Sequence, residues 1–152
     1  MTENPLRVRI QEDMKDAMRA KNTERLSTIR MLIAAIKQRE IDERITLNET
    51  QIIAAIDKLI KQRNESIAQY RQGNRSDLVD KETAEIEILK EYLPQPLTEE
   101  EVNELIQDAI DEVNASSIKD MAKVMAIVKP RAQGRADMGS IGIKIKAILS
   151  AL

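Results

Sequence analysis

Apolar residues return every three or four positions along almost the whole of this chain, and that rhythm leaves the helix as the one element able to bury them on a single face. In "TERLSTIRMLIAAIKQREI", Leu26, Ile29, Ile33 and Ile36 fall at steps of three, four and three. "NETQIIAAIDKLIKQRNESIAQYRQG" continues it with Ile52, Ile56, Leu59, Arg63, Ile67 and Tyr70. The opening stretch "NPLRVRIQEDMKDAM" puts Leu6, Ile10, Met14 and Met18 on one face, with Asn4 as N-cap and Pro5 at the first helical position, where a missing N–H costs nothing. A fourth helix, about 76–93, carries Val79, Ile86, Leu89 and Leu93. The third helix is expected to start at Thr46 or Asn48 and to stop at Gly73 in a left-handed terminus. Four such helices form a hairpin or bundle over residues 1–93.

The rhythm breaks once, at "YLPQPLTEEE". Pro94 and Pro96 cannot continue a helix, and each pushes its preceding residue toward extended geometry. Residues 94–97 are therefore read as a hinge, after which Thr98 with Glu101 forms a capping box. Three helices follow over residues 98–152: one from Glu99 to Val113, one starting near Ser117 with Asp120 as its box partner, and one after Asp137. The last contains "IGIKIK", which alternates like a strand, but a strand with no partner would leave its backbone unpaired, so helix is preferred. The fold expected is all-α, a helical bundle or hairpin followed by a smaller three-helix C-terminal domain.

Composition excludes more chemistry than it suggests. The 152 residues contain no Cys, His, Phe or Trp, and the only aromatics are Tyr70 and Tyr92. Thiolate nucleophiles, imidazole bases and the usual zinc ligand sets are thereby absent, and so are the aromatic platforms on which single-strand binders stack bases. No metal site and no cofactor is expected. The N-terminus has no apolar core of the kind that marks export, and no window approaches a membrane span, from which a cytoplasmic protein is expected.

Acid–base work without His would fall to carboxylates, but Asp80, Glu82, Glu85 and Glu87 read as the solvated face of a charged helix. In "SSIKDM", Ser117 serves better as a cap than as a nucleophile. "GRADMGSIG" fits neither a phosphate loop nor a dinucleotide fingerprint. A DNA-reading helix after "QGRAD" would offer Lys144 and Lys146 but no Asn, Gln or Arg for base edges, so sequence-specific DNA readout is not expected.

Charge is unevenly spread. Residues 94–115 hold seven acids and no base, whereas 116–152 hold seven bases against two acids, a net of +5. Lys119 and Lys123 sit off the apolar stripe, and Lys129, Arg131 and Arg135 crowd the connector "KPRAQGRADMG". Phosphate backbones need only such cations. The opposing reading is that acidic and basic helices pair with each other, at about 0.2–1 kcal/mol per surface pair. In the connector, Pro130 weakens or ends a helix, Gly134 suits a left-handed stop and Asp137 caps the next start.

The stretches "ERLSTIRMLIAAIKQREI", "EIEILKEYLPQPLTEEEV", "SSIKDMAKVMAIVKP" and "GRAD", taken together and in order, resemble the YqeY-like proteins of the GatB/YqeY domain family. Gly134, Arg135, Ala136 and Asp137 match the family turn, with Lys123, Lys129 and Arg131 just before it; "MGSIGIKIK" departs from the more polar run expected after it. The resemblance implies an all-helical protein akin to the tail of the B subunit of glutamine-dependent aminoacyl-tRNA amidotransferase, a tRNA-contacting appendage without catalytic machinery. Three readings stay open: an accessory protein docking tRNA through Lys119, Lys123, Lys129, Arg131 and Arg135; a helical module docking a protein partner; and a carbon–nitrogen ligase with glutamine as amido donor, which the family label implies and for which no active site is seen.

Overall fold

The computed structural model describes residues 4–152, and among them every regular element is a helix. The chain divides into two compact units, the first ending at Leu93 and the second beginning at Pro94.

The first unit contains α1 (Pro5–Arg19), α2 (Thr23–Glu43), α3 (Glu49–Gln72) and α4 (Ser76–Lys90). Their starts follow from local chemistry: Asn4, Asn22 and Asn48 each accept a hydrogen bond from the backbone N–H three residues on, and Asn48 closes a capping box with Gln51. The apolar stripes of α1 and α2 face each other, as do those of α3 and α4, and α4 also lies against α2. Ile10, Ile29, Leu32, Ile52, Ile56 and Leu89 are fully buried, each burial favouring the fold by about 1.5–3 kcal/mol.

Three local expectations are corrected. Met18 lies 47% exposed, and Ala17 takes the inward place. α4 ends at Lys90 rather than near Leu93. Gly73 is not left-handed (φ −87°); the left-handed residue is Asn74 (φ 57°). Arg75 N–H bonds back to the Tyr70 carbonyl and Asn74 N–H to the Arg71 carbonyl, a Schellman closure with Asn in the position usually taken by Gly.

Arg63 is buried at 8% exposure on the core face of α3, where its Nε donates to Glu85 at 2.9 Å and lies 3.6 Å from Glu82. Glu82 and Glu85 are thus partners of a buried guanidinium and not simply a solvated face, while Glu87 pairs with Lys90 at 3.6 Å.

The second unit contains α5 (Glu99–Val113), a single 3-10 turn (Ile118–Asp120) running into α6 (Met121–Ala132), and α7 (Met138–Ser150). α6 packs against both α5 and α7 around Ile106, Val124, Val128, Ile141, Ile145 and Leu149. "IGIKIK" is helical: Ile141 and Ile145 face the core one turn apart, and Ile143 points outward at 73% exposure.

Candidate nucleic-acid interface

The five cations singled out in the sequence all belong to the second unit, and its local geometry decides what each is free to do. Ser117 caps the 3-10 turn by accepting from Lys119 N–H at 3.3 Å. In return Asp120 accepts the backbone N–H groups of Ser116 (2.8 Å) and Ser117 (3.3 Å). Those donors, the Ser116 N–H foremost, hold the Asp120 carboxyl below the usual carboxylate range, with a smaller contribution from Lys123 at 3.9 Å. The capping expectations at Thr98, Ser117 and Asp137 are all met: Thr98 closes its box with Glu101, and Asp137 accepts from Gly139 N–H at 3.2 Å and from the Ser140 hydroxyl at 2.8 Å.

α6 does not end at Pro130. It runs through to Ala132, because proline in the last turn removes one hydrogen bond from a segment already close to its end. The stop comes from a type II turn, Ala132 to Arg135, in which Gln133 is extended (φ −60°, ψ 129°) and Gly134 takes φ 77°. Arg135 N–H closes it on the Ala132 carbonyl at 2.9 Å. Gly134 is left-handed as expected, though as the third residue of a turn and not as a helix cap.

This turn fixes Arg135 in a structural task. Its Nε donates to the Gln95 carbonyl at 2.9 Å, and its own carbonyl accepts Leu97 N–H at 2.8 Å, so two bonds tie the Pro94–Pro96 stretch to the turn after α6. The Arg135 charge also helps, after the Thr98 backbone and hydroxyl, to hold the Glu101 carboxyl below its ordinary range. Arg131 is directed toward α5, its Nη2 lying 3.8 Å from Glu112.

The five therefore differ in engagement: Arg135 is tied to the proline stretch, Arg131 is directed at Glu112, and Lys123 lies 3.9 Å from Asp120. Lys119, Lys123 and Lys129 are exposed on the outward side of α6 and the turn before it, where Ala122 and Ala126 are exposed as well. Among the described residues, Lys119 and Lys129 have no carboxylate within ion-pair distance. Lys129 follows Lys123 by six positions, about 9 Å along the axis at 1.5 Å per residue. On α7, Lys144 lies 3.7 Å from Glu99, while Lys146 is exposed and without such a partner, a cation that the sequence reasoning weighed only for DNA. Pairing between acidic α5 and the basic segment thus accounts for Arg131 and Lys144, Lys123 lies 3.9 Å from Asp120 of its own segment, and Lys119 and Lys129 stay without a carboxylate partner among the described residues. What such a face can do chemically is neutralise anionic oxygens; among the described residues no group of three acidic side chains is placed to hold a metal ion.

A family model described as "Yqey-like protein" matches residues 7–149. The chain is 33% identical, over 98% of its length and 83% of the relative's, to a protein of Pyrenophora tritici-repentis named "Altered inheritance of mitochondria protein 41, mitochondrial". Proteins of the same name from Lachancea thermotolerans and Clavispora lusitaniae are 40% and 35% identical over 71% and 68% of this chain. The matched segment spans 59% and 62% of those two proteins, which are thus substantially longer than the part they share. The word "mitochondrial" in these names overturns the expectation of a cytoplasmic protein. That expectation rested on the lack of an apolar export core, and mitochondrial addresses are amphipathic and basic, so such a test passes over them.

Proposed function

The chain belongs to the YqeY-like protein family, and from that premise we propose that it is a non-catalytic accessory protein that docks tRNA through the lysine face of its second unit. The observation that carries the reading is the outward, carboxylate-free placement of Lys119 and Lys129 on either side of Lys123. Three ammonium groups spread along one exposed surface suit the phosphates of a folded RNA, since such contacts need charge and reach rather than base-specific donors. Exposed Ala122 and Ala126 between them leave room for a backbone to approach. Arg131 and Arg135 drop out of the first rank of contacts, because one pairs with Glu112 and the other holds the proline stretch.

Filter-binding titration with total tRNA tests this. Three phosphate contacts predict that the logarithm of the binding constant falls with the logarithm of salt concentration with a slope of about −2 to −3. The variant Lys119→Glu/Lys123→Glu/Lys129→Glu is expected to lose binding at least tenfold and to flatten that slope. No binding at low salt, or unchanged binding by the triple variant, would overturn the reading.

A further inference from the structure

The first unit carries an outward feature that the RNA reading does not use. Along α2, Ser27, Arg30, Ala34, Lys37 and Ile41 are all exposed, and they succeed one another at steps of three, four, three and four. This spacing repeats every seven residues, and on a helix such a repeat makes a nearly straight seam, here about 21 Å long at 1.5 Å per residue. The core seam of α2, through Ile29, Leu32 and Ile36, lies on the opposite side and is already occupied.

The composition of the outward seam is regular too. One alternate set is small or apolar, Ser27, Ala34 and Ile41, and Ile41 is 70% exposed. The other set is cationic, Arg30 and Lys37, and Arg44 adds a third charge just past the helix end, where it takes the left-handed cap position (φ 56°). Among the described residues none of the three cations has a carboxylate within ion-pair distance, and no hydrogen bond holds their side chains. Lys21, Lys58, Lys61, Arg71 and Lys81 share this trait within the unit but lie off α2, whereas Arg7, Lys15, Arg19, Arg39, Arg75 and Lys90 are each paired. Beside Lys37 the neighbouring helix α1 contributes Arg7 and Gln11, and no acid, to a shallow dent.

We propose that this seam of α2 docks an acidic amphipathic helix of a protein partner. Helix packing explains the seven-residue repeat, which a fluid membrane surface or a polynucleotide backbone has no reason to require. Ala34 admits close approach of a second helix, Ile41 supplies an apolar anchor at one end, and the cations fix the sign of the partner's facing charges. The charge arrangement gives orientation and partner choice more than raw affinity, so a weak, salt-sensitive complex is the expected form.

The test uses the full chain and a synthetic 21-residue helical peptide with Leu and Glu on one seven-residue seam, followed by fluorescence anisotropy. Saturable binding is expected at low salt, weakened at least fivefold by Ile41→Asp and at least tenfold by Arg30→Glu/Lys37→Glu/Arg44→Glu. The charge-reversed variant is expected instead to bind the corresponding peptide with Lys in place of Glu. Helical circular dichroism and thermal melting of each variant, matched to the parent, keep misfolding out of the comparison. Absence of binding, or binding that ignores these substitutions, overturns the proposal. So does a stronger dependence on the same three cations for phosphatidylserine vesicles or for duplex RNA than for the acidic helix. Because Lys119, Lys123 and Lys129 are untouched, tRNA binding measured on the same variants separates failure here from failure of the RNA reading.

Discussion

Replacing Arg63 by methionine removes the one buried cation among the described residues of the first unit while keeping most of its stem. The guanidinium donates to Glu85 at 2.9 Å, to the Leu59 carbonyl at 3.3 Å and toward the Met31 sulfur, with Glu82 at 3.6 Å. Without it, two carboxylates face each other and a thioether with no countercharge. Removing one member of a buried pair costs about 3–5 kcal/mol when the remaining charge is sealed from water. The side chains of Glu82 and Glu85 retain 20% and 19% of their exposure, so water offsets part of that cost. We expect a loss of about 2–3 kcal/mol at pH 7, which for a unit of this size moves the urea midpoint by about 1–2 M. Far-ultraviolet circular dichroism follows the unfolding, and native-state hydrogen exchange of α3 amides localises the loss to the first unit. The companion variant Arg63→Met/Glu82→Gln/Glu85→Gln removes the stranded charges and is expected to recover at least half of the loss. A single substitution costing less than about 0.5 kcal/mol would refute the view that this pairing is what makes the buried charge tolerable, since surface pairs reach that value unaided. So would a triple variant less stable than the single one.

Tyr92, buried at the end of the first unit, donates its hydroxyl to Asp13 at 2.7 Å, and burial first and this bond second push its phenol well above the ordinary tyrosine range. A folded-state value above the unfolded one near 10 means the contribution is intact below about pH 10 and is lost as the pH rises past it. Tyr92→Phe should therefore cost about 1 kcal/mol at pH 8 and blunt the alkaline loss of stability; equal steepness in parent and variant denaturation between pH 8 and 10.5 would refute it. Two glycines should respond in opposite directions to alanine in thermal melts. Gly134, at φ 77°, should lose about 1–2 kcal/mol, while Gly142, inside α7 with nothing beyond its own stretch of helix backbone within 4 Å of an added Cβ, should gain about 0.5–1 kcal/mol.

Helix positions were legible wherever a cap and an apolar stripe agreed. Asn4 with Pro5, Asn48, Thr98 with Glu101 and Ser117 with Asp120 each start the element that the spacing calls for. Helix ends were less legible, because a left-handed closure depends on which residue the last turn delivers to it. At α3 it delivers Asn74 rather than Gly73, and at α6 the chain passes Pro130 before a type II turn takes over. Arg63 was visible as a member of the α3 stripe, but its partners Glu82 and Glu85 lie on another helix about twenty residues away, and only packing brings them to it. The family match was legible in order and spacing; the cytoplasmic reading failed because it tested for one kind of address alone.

The candidate interface shows why a net charge per segment is a poor map of a surface. Seven bases between residues 116 and 152 suggest one basic patch, yet geometry sorts them by chemistry. Both arginines are engaged within the unit, Arg135 on a backbone carbonyl and Arg131 toward Glu112, as suits a planar group with several fixed donors. The cations left free there are lysines, compact hydrated charges on flexible stems, which serve diffuse attraction to phosphates better than they serve fixed geometry. On the outward seam of α2 the free cations include Arg30 at helical register and Arg44 just past the helix end, near an exposed isoleucine. Ion release should dominate binding at the first face, whereas register and apolar contact should share it at the second. Raising salt from 50 to 200 mM should therefore weaken tRNA binding by at least tenfold and binding of the acidic helix by a smaller factor. Salt sensitivity of equal size at both faces would remove the distinction between them.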